Sequence, residues 1–247
     1  MYVVPRPRSH QSVAVVGDMG LMGPDGLSSY APKGVSGALQ PDETNSIQSL
    51  TESLDAFDHV IHVGDLAYAD YFLKESVNGY FGKGSQIVNA TSIVENYELL
   101  NEQFYDQLTQ ITAVRPYQVA VGNHESNCDN GGVSDKENNI TYSAAICMPG
   151  QTNFTAYAEH WNMPGTPGPS QNFWYSYESG LVHYIVLNFE TDFGEGIYGP
   201  DEVGGTGKQM SGPRGKVGEQ IAWLKKDLAS VDRKKTPWVL AFGWVES

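Results

Sequence analysis

Three short stretches of the chain carry groups able to do chemistry: "GDMG" at 17–20, "GDLAYAD" at 64–70 and "GNHES" at 122–126. Each sets a polar side chain directly after a glycine, giving Asp18, Asp65 and Asn123, and glycine has no Cβ to hold neighbouring backbone or ligand away. Two carboxylates with no basic residue beside them repel in a dry crevice unless a cation lies between them. Tyr68, three residues beyond Asp65, offers a phenolate, a hard anionic oxygen donor. With two carboxylates it suits a trivalent ion such as Fe(III), whereas the neutral carbonyl oxygen of Asn123 suits a divalent neighbour. His124 leaves the same strand end in a different direction from Asn123. It is therefore expected to face substrate and to donate a proton or hydrogen bond to a phosphoryl or leaving-group oxygen. One Gly-Asp pair reads as a turn or a cap; three polar exits, each after an apolar strand, read as one site.

The elements that must position these groups are visible in the periodicity. "SVAVVGD" (12–18) is a short β-branched run ending in Gly-Asp, the pattern of a buried strand leaving a sheet. From Pro41 a helical pattern carries Ile47, Leu50, Leu54 and Phe57 on one face. A second strand, Val60 to Gly64, exits at Asp65; a helix with Ile93, Tyr97, Leu100, Phe104, Leu108 and Ile111 follows; a third strand in "YQVAVGNHE" exits at Asn123. "FWYSYES" and "LVHYIVLNF", joined near Gly180, predict an antiparallel hairpin. A last helix with Val217, Ile221, Leu224 and Leu228 precedes "TPWVLAFG", read as a buried strand from Trp238 to Phe242. Alternating strands and helices predict an α/β fold with a largely parallel sheet and the hairpin as an addition. In such sheets ligands collect beyond the carboxyl ends of the strands, where all three motifs lie.

Composition narrows the function classes. The formal charge of -14 argues against a nucleic-acid or polybasic membrane partner. No apolar run reaches the roughly 18 residues needed to span a bilayer, and the opening "MYVVPRPRSH" lacks the apolar stretch of a secretory signal. Sequons at Asn89, Asn139 and Asn153 nonetheless suggest glycosylation and secreted relatives. Cys128 and Cys147, the only cysteines, are expected to form a disulfide, with two free thiols as the alternative.

Taken in order, "GDMG", "GDLAYAD" and "GNHES" resemble the calcineurin-type metallophosphoesterases, and Tyr68 in the second motif narrows the resemblance to the purple acid phosphatases, fungal and plant members among them. "YESGLVHYIVLNFETDF" and "TPWVLAFG" also look like that family, so the resemblance runs from about Val13 to Gly243. It implies a β-sandwich of two sheets flanked by helices, and Fe(III) beside Fe(II), Zn(II) or Mn(II). By motif match Asp18 and Tyr68 would bind the ferric ion, Asp65 would bridge both ions, Asn123 would bind the divalent one, and His124 would contact substrate. The implied activity is acid phosphatase: ions about 3.5–4 Å apart grip a phosphomonoester and acidify a water that attacks phosphorus in line.

The resemblance also implies three histidine ligands. The first belongs directly after "TPWVLAFG", where Trp244 stands, and the others to a Gly-His-x-His motif beyond the last residue. His10, His59, His62, His160 and His183 lie in strand or helix contexts and are expected to be structural. The chain is therefore expected to be one catalytic domain, 1–247, abridged at both ends, without the β-sandwich domain that often precedes it in relatives, and to hydrolyse phosphate esters poorly or not at all. The alternatives are a silent metal-binding glycoprotein and a phosphodiesterase or phytase-like specialist. Substrate choice would rest on loops 127–150 and 191–215.

Overall fold

The computed structural model describes residues 11–23, 26, 28, 39, 41–71, 90–128, 134–135, 140–141, 147–168, 170–190 and 218–244. His10, Asn89, Asn139, Val217, the side chain of Ile93 and most of the two substrate loops lie outside them.

Strands β1 (Val13–Val16), β2 (His59–His62) and β3 (Tyr117–Val119) form a parallel sheet in that order. All four residues of the central β2 are buried. Two-residue strands β4 (Ser134–Asp135) and β5 (Ile140–Thr141) pair antiparallel. Strands β6 (Tyr175–Ser179) and β7 (Val182–Val186) make the expected hairpin around Gly180, whose φ of 58° only glycine adopts freely. Strand β8 (Trp238–Phe242) then adds to β7 in parallel.

The molecule is thus α/β with two three-stranded sheets flanked by helices, as the resemblance implies, and the hairpin belongs to the second of them rather than being an addition to a largely parallel sheet. The reason is local: β7, a helix and β8 form a crossover unit that closes on the hairpin instead of on β3. Tyrosines join the sheets. Tyr177 and Tyr184 stack at 5.0 Å within the second sheet, and from it Tyr184 meets the His59 ring edge-on at 5.0 Å and the Tyr175 hydroxyl donates to the Val119 carbonyl at 2.7 Å.

The helices are α1 (Ser46–Glu52), α2 (Ala90–Thr112), α3 (Thr155–His160) and α4 (Glu219–Ser230). Tyr97, Leu100, Phe104, Leu108 and Ile111 of α2 are buried at spacings of three and four, and Phe104 reaches His62 of the first sheet with ring centres 6.2 Å apart. Helix α1 starts at Ser46, not Pro41, because Asn45 closes a reciprocal capping box with Gln48 at 2.9 and 3.0 Å. Leu54 lies in a separate 3₁₀ turn and Phe57 on extended backbone.

Two burial expectations are corrected. Strand β8 is not buried: Trp238 is 64% and Leu240 39% exposed, because among the described residues β8 pairs only with β7 and stands at the sheet edge. On α4, Ile221 and Leu228 are each 47% exposed. The inward stripe is Gln220, Trp223, Leu224 and Asp227, which is half polar. Its polar half satisfies buried groups: Gln220 exchanges two 2.8 Å bonds with the Asn188 backbone, and Asp227 accepts from Ser176 and meets His183 at 2.8 Å.

Cys128 and Cys147 are joined in a disulfide, and the Cys128 amide donates to the Gln151 carbonyl at 2.9 Å. The bond closes a loop of 19 residues, for which chain entropy predicts about 3 kcal/mol of stabilisation. Reduction is therefore expected to lower the melting temperature by roughly 6–12 °C; an unchanged melt in reductant would contradict this. No helix among the described residues is long and apolar enough to cross a membrane.

Candidate metal centre

The polar groups of the three motifs do not leave the strands directly. β1 ends two residues before Asp18, β2 three before Asp65, and β3 four before Asn123, which opens a 3₁₀ turn, Asn123–Glu125. Beyond the strands the first two loops stay zipped. The amides of Asp18, Met19, Gly20 and Leu21 donate in turn to the carbonyls of Gly64, Asp65, Leu66 and Ala67, at 2.8 to 3.3 Å.

Three of the candidate ligands adopt left-handed backbone: Asp18 (φ 49°), Asp65 (φ 53°) and Tyr68 (φ 54°). Such residues cost of order 1–3 kcal/mol each and gather at functional sites. The glycines are there for clearance. A Cβ on Gly122 would come 2.2 Å from Asp65 Oδ1, and one on Gly64 would come 2.9 Å from the Gly122 amide.

The result is a knot of oxygens. Tyr68 Oη lies 2.6 Å from Asp18 Oδ1 and 3.1 Å from Asp65 Oδ2. One phenolic proton cannot serve both carboxylates fully. Burial, the Asp65 charge and the bond to Asp18 push the Tyr68 phenol far up, so it keeps its proton unless a cation takes that place. Burial also raises Asp65, to about 6, with Asp18 and Asp70 adding to the rise and His124 opposing it.

Asn123 is 5% exposed, and one end of its amide lies 3.2 and 3.3 Å from the two Asp65 oxygens. With the NH₂ turned there, Asn123 donates to both. With the carbonyl oxygen there, it accepts from Trp244 Nε1 at 3.4 Å, and oxygen faces oxygen, which an intervening cation or a protonated Asp65 makes favourable.

His124 sits beside this knot, its ring 4.3 Å from that of Tyr68 and its amide 3.2 Å from Asp65 Oδ1. Its Nδ1 meets Asp70 Oδ2 at 2.6 Å, and Asp70 is wholly buried. Burial works against the imidazolium, but the charge and bond of Asp70, followed by Asp65 and Glu125, override it and raise His124 to about 9. Asp70 engages Nδ1 of the ring, so a contact with a substrate oxygen would fall to the other nitrogen, Nε2.

Sequence reasoning passed over Asp70 and Glu125, although both stand inside the motifs, because nothing in their spacing shows that the chain folds back to pair them. Of the histidines expected to be structural, His62 meets Tyr117 at 2.9 Å, His59 meets Tyr177 at 3.1 Å and His160 meets the Ala156 carbonyl at 2.7 Å. Asn153 lies half-buried in the turn before α3. Among the described residues no group of three His, Cys, Asp or Glu forms a metal-binding cluster. The donors gathered here are two carboxylates, a phenol and an amide. The Asp18, Asp65 and Tyr68 oxygens suit one hard cation; the Asn123 side adds a single neutral oxygen and an indole.

The sequence matches the profile of the calcineurin-like phosphoesterases over residues 12–247. The chain belongs to that family. Within the calcineurin-like phosphoesterases it is similar to acid phosphatase A of Cryphonectria parasitica, at 34% identity over 97% of this chain and 48% of that protein. A nucleotide pyrophosphatase/phosphodiesterase of Hordeum vulgare is 29% identical over 96% of the chain and 47% of its own length. A "Probable inactive purple acid phosphatase 27" of Arabidopsis thaliana is 28% identical over 96% of the chain and 28% of its own length. The chain thus spans about half or less of the curated relatives it matches. The purple acid phosphatase PPD1 of yellow lupin (Lupinus luteus) seeds superposes with a TM-score of 0.54 over 96% of this chain and 31% of the lupin chain, at 24% identity, a likeness of fold.

Proposed function

We propose that this phosphoesterase carries the cation cradle of a phosphate-monoester hydrolase of the purple acid phosphatase type. Asp18 and Tyr68 would hold a ferric ion, Asp65 would be shared, and Asn123 would face a divalent ion such as Fe, Zn or Mn. The observation that carries the reading is the Tyr68 hydroxyl lodged between Asp18 and Asp65 at 2.6 and 3.1 Å, with all three residues held in left-handed backbone.

Bound cations would neutralise phosphate charge and supply acidified water. The chain's own part is positional. His124, kept protonated by Asp70, offers Nε2–H to a phosphoryl or leaving-group oxygen, and supplies local positive charge in a chain of net charge -14.

The same geometry argues for weak turnover. Trp244 lies against Gly17 and Gly64 and reaches Asn123, and an indole offers no lone pair to a metal. Supplied with Fe(III) and Zn(II), the chain is expected to hydrolyse p-nitrophenyl phosphate roughly 100-fold or more slowly than the Cryphonectria acid phosphatase assayed beside it, the size of loss that one missing electrostatic group produces. Equal turnover would overturn that expectation. A visible tyrosinate–iron band without turnover would instead favour a silent metal-binding glycoprotein.

A further inference from the structure

We propose that Glu125 is the positioning residue that fixes the two ligand loops against each other, and with them the placing of Asp65 relative to Asn123 and His124. The inference rests on the reading of Asp65 and Asn123 as cation ligands.

Glu125 is 9% exposed and spends its carboxylate on backbone alone among the bonds resolved. Oε2 accepts from the amides of Asp65 at 3.0 Å and Gly122 at 2.8 Å, and Oε1 accepts from Leu66 at 2.7 Å. These amides belong to two different strand exits, one carrying Asp65 and Tyr68, the other Asn123 and His124. The consecutive amides of Asp65 and Leu66 converge on one anion because Gly64 (φ 124°) and Asp65 (φ 53°) both lie at positive φ. Successive backbone N–H groups that converge in a turn make an anion site, and here the chain fills that site with its own Glu125.

The contact works in two directions. It compensates the left-handed conformation of Asp65, and it draws Gly122 so close that any Cβ would strike the Asp65 carboxylate. A carboxylate accepts at both oxygens, whereas a glutamine in the same place must turn an NH₂ toward backbone N–H groups. Glu125→Gln therefore breaks the clamp with little change in volume, and Glu125→Asp keeps the charge on a shorter arm.

The test compares the parent, Glu125→Gln, Glu125→Asp and Leu108→Ala, a core truncation in α2 that serves as a control for general destabilisation. Amide hydrogen exchange without metal reads the clamp itself. Protection at Asp65, Leu66 and Gly122 should fall at least tenfold in Glu125→Gln relative to the rest of the first sheet, recover in part in Glu125→Asp, and fall no further than its surroundings in Leu108→Ala. Titration with Fe(III), followed by the visible tyrosinate band, reads the consequence: affinity at least about tenfold weaker and a displaced band maximum in Glu125→Gln, the range found when groups supporting metal ligands are removed, with both unchanged in Leu108→Ala. Parent-like exchange at the three amides, or parent-like affinity and band in Glu125→Gln, overturns the proposal. A parent chain that develops no band with Fe(III) refutes the metal reading, and the clamp is then decided by the exchange data alone.

Discussion

Asp65→Asn weakens Fe(III) binding at least about 100-fold while the chain stays folded. Asp65 is the carboxylate that reaches both sides of the site, 3.1 Å from Tyr68 Oη and 3.2 to 3.3 Å from the Asn123 amide. A unit charge about 4 Å from another contributes about 4 kcal/mol at an effective dielectric near 20, and more against a trivalent ion. A hundredfold, or about 2.7 kcal/mol, is therefore a floor. Asparagine is chosen because it tolerates the left-handed backbone that position 65 requires and keeps the side chain's shape. The folded state already disfavours the charged form of Asp65, chiefly through burial, so the metal-free variant should melt no lower than the parent. Titration followed by the tyrosinate band measures the loss; binding within threefold of the parent would remove Asp65 from the role assigned to it.

Acid weakens the fold through two histidines of the central strand. Burial pushes His59 down to about 4, against a rise from Asp58, and His62 down to about 3, against a rise from the Asp65 backbone. Between pH 6.5 and those values the unfolded chain binds protons that the folded chain refuses, so stability is lost as pH falls. At pH 4 each histidine costs about 3 kcal/mol relative to neutral pH. Asp65 and Glu125, both raised by burial, act in the opposite sense as their carboxyls protonate, so the histidines must be isolated by difference. The His59→Gln, His62→Gln double variant, which cannot titrate there, should lose at least roughly 12 °C less than the parent between pH 7 and pH 4. Parallel melting profiles would show that the two imidazoles do not resist protonation.

How much of this was legible depends on which interaction sets each feature. The strand exits were readable because β-branched runs ending in glycine and a polar residue report a local preference, and that preference survives folding at Asp18 and Asp65. Periodicity alone did not show the division into two sheets, since apolar runs do not state their partners; the motif resemblance implied it, and the crossover from β7 to β8 bears it out. Edge position hid in the same way, so Trp238 and Leu240 looked like core. On α4 the periodic residues Ile221 and Leu228 misled because Gln220 and Asp227 face inward to satisfy Asn188 and His183. The convergence of the oxygen donors Asp18, Asp65, Tyr68 and Asn123 was legible in their order. The partners that hold those donors, Asp70 and Glu125, were not, since their work depends on contacts 54 and 59 to 60 residues distant along the chain.

The zipped loops after β1 and β2 bear on which ions the cradle accepts. Four successive cross-links make Asp18 and Asp65 parts of one stiff body, so their separation cannot adjust freely to a guest. A stiff frame would discriminate by ionic radius: in the proposed cradle a small, highly charged ion whose bond lengths suit the gap would be retained, while a large, loosely coordinated one such as calcium, which needs more oxygens farther out, would have to pry the two loops apart.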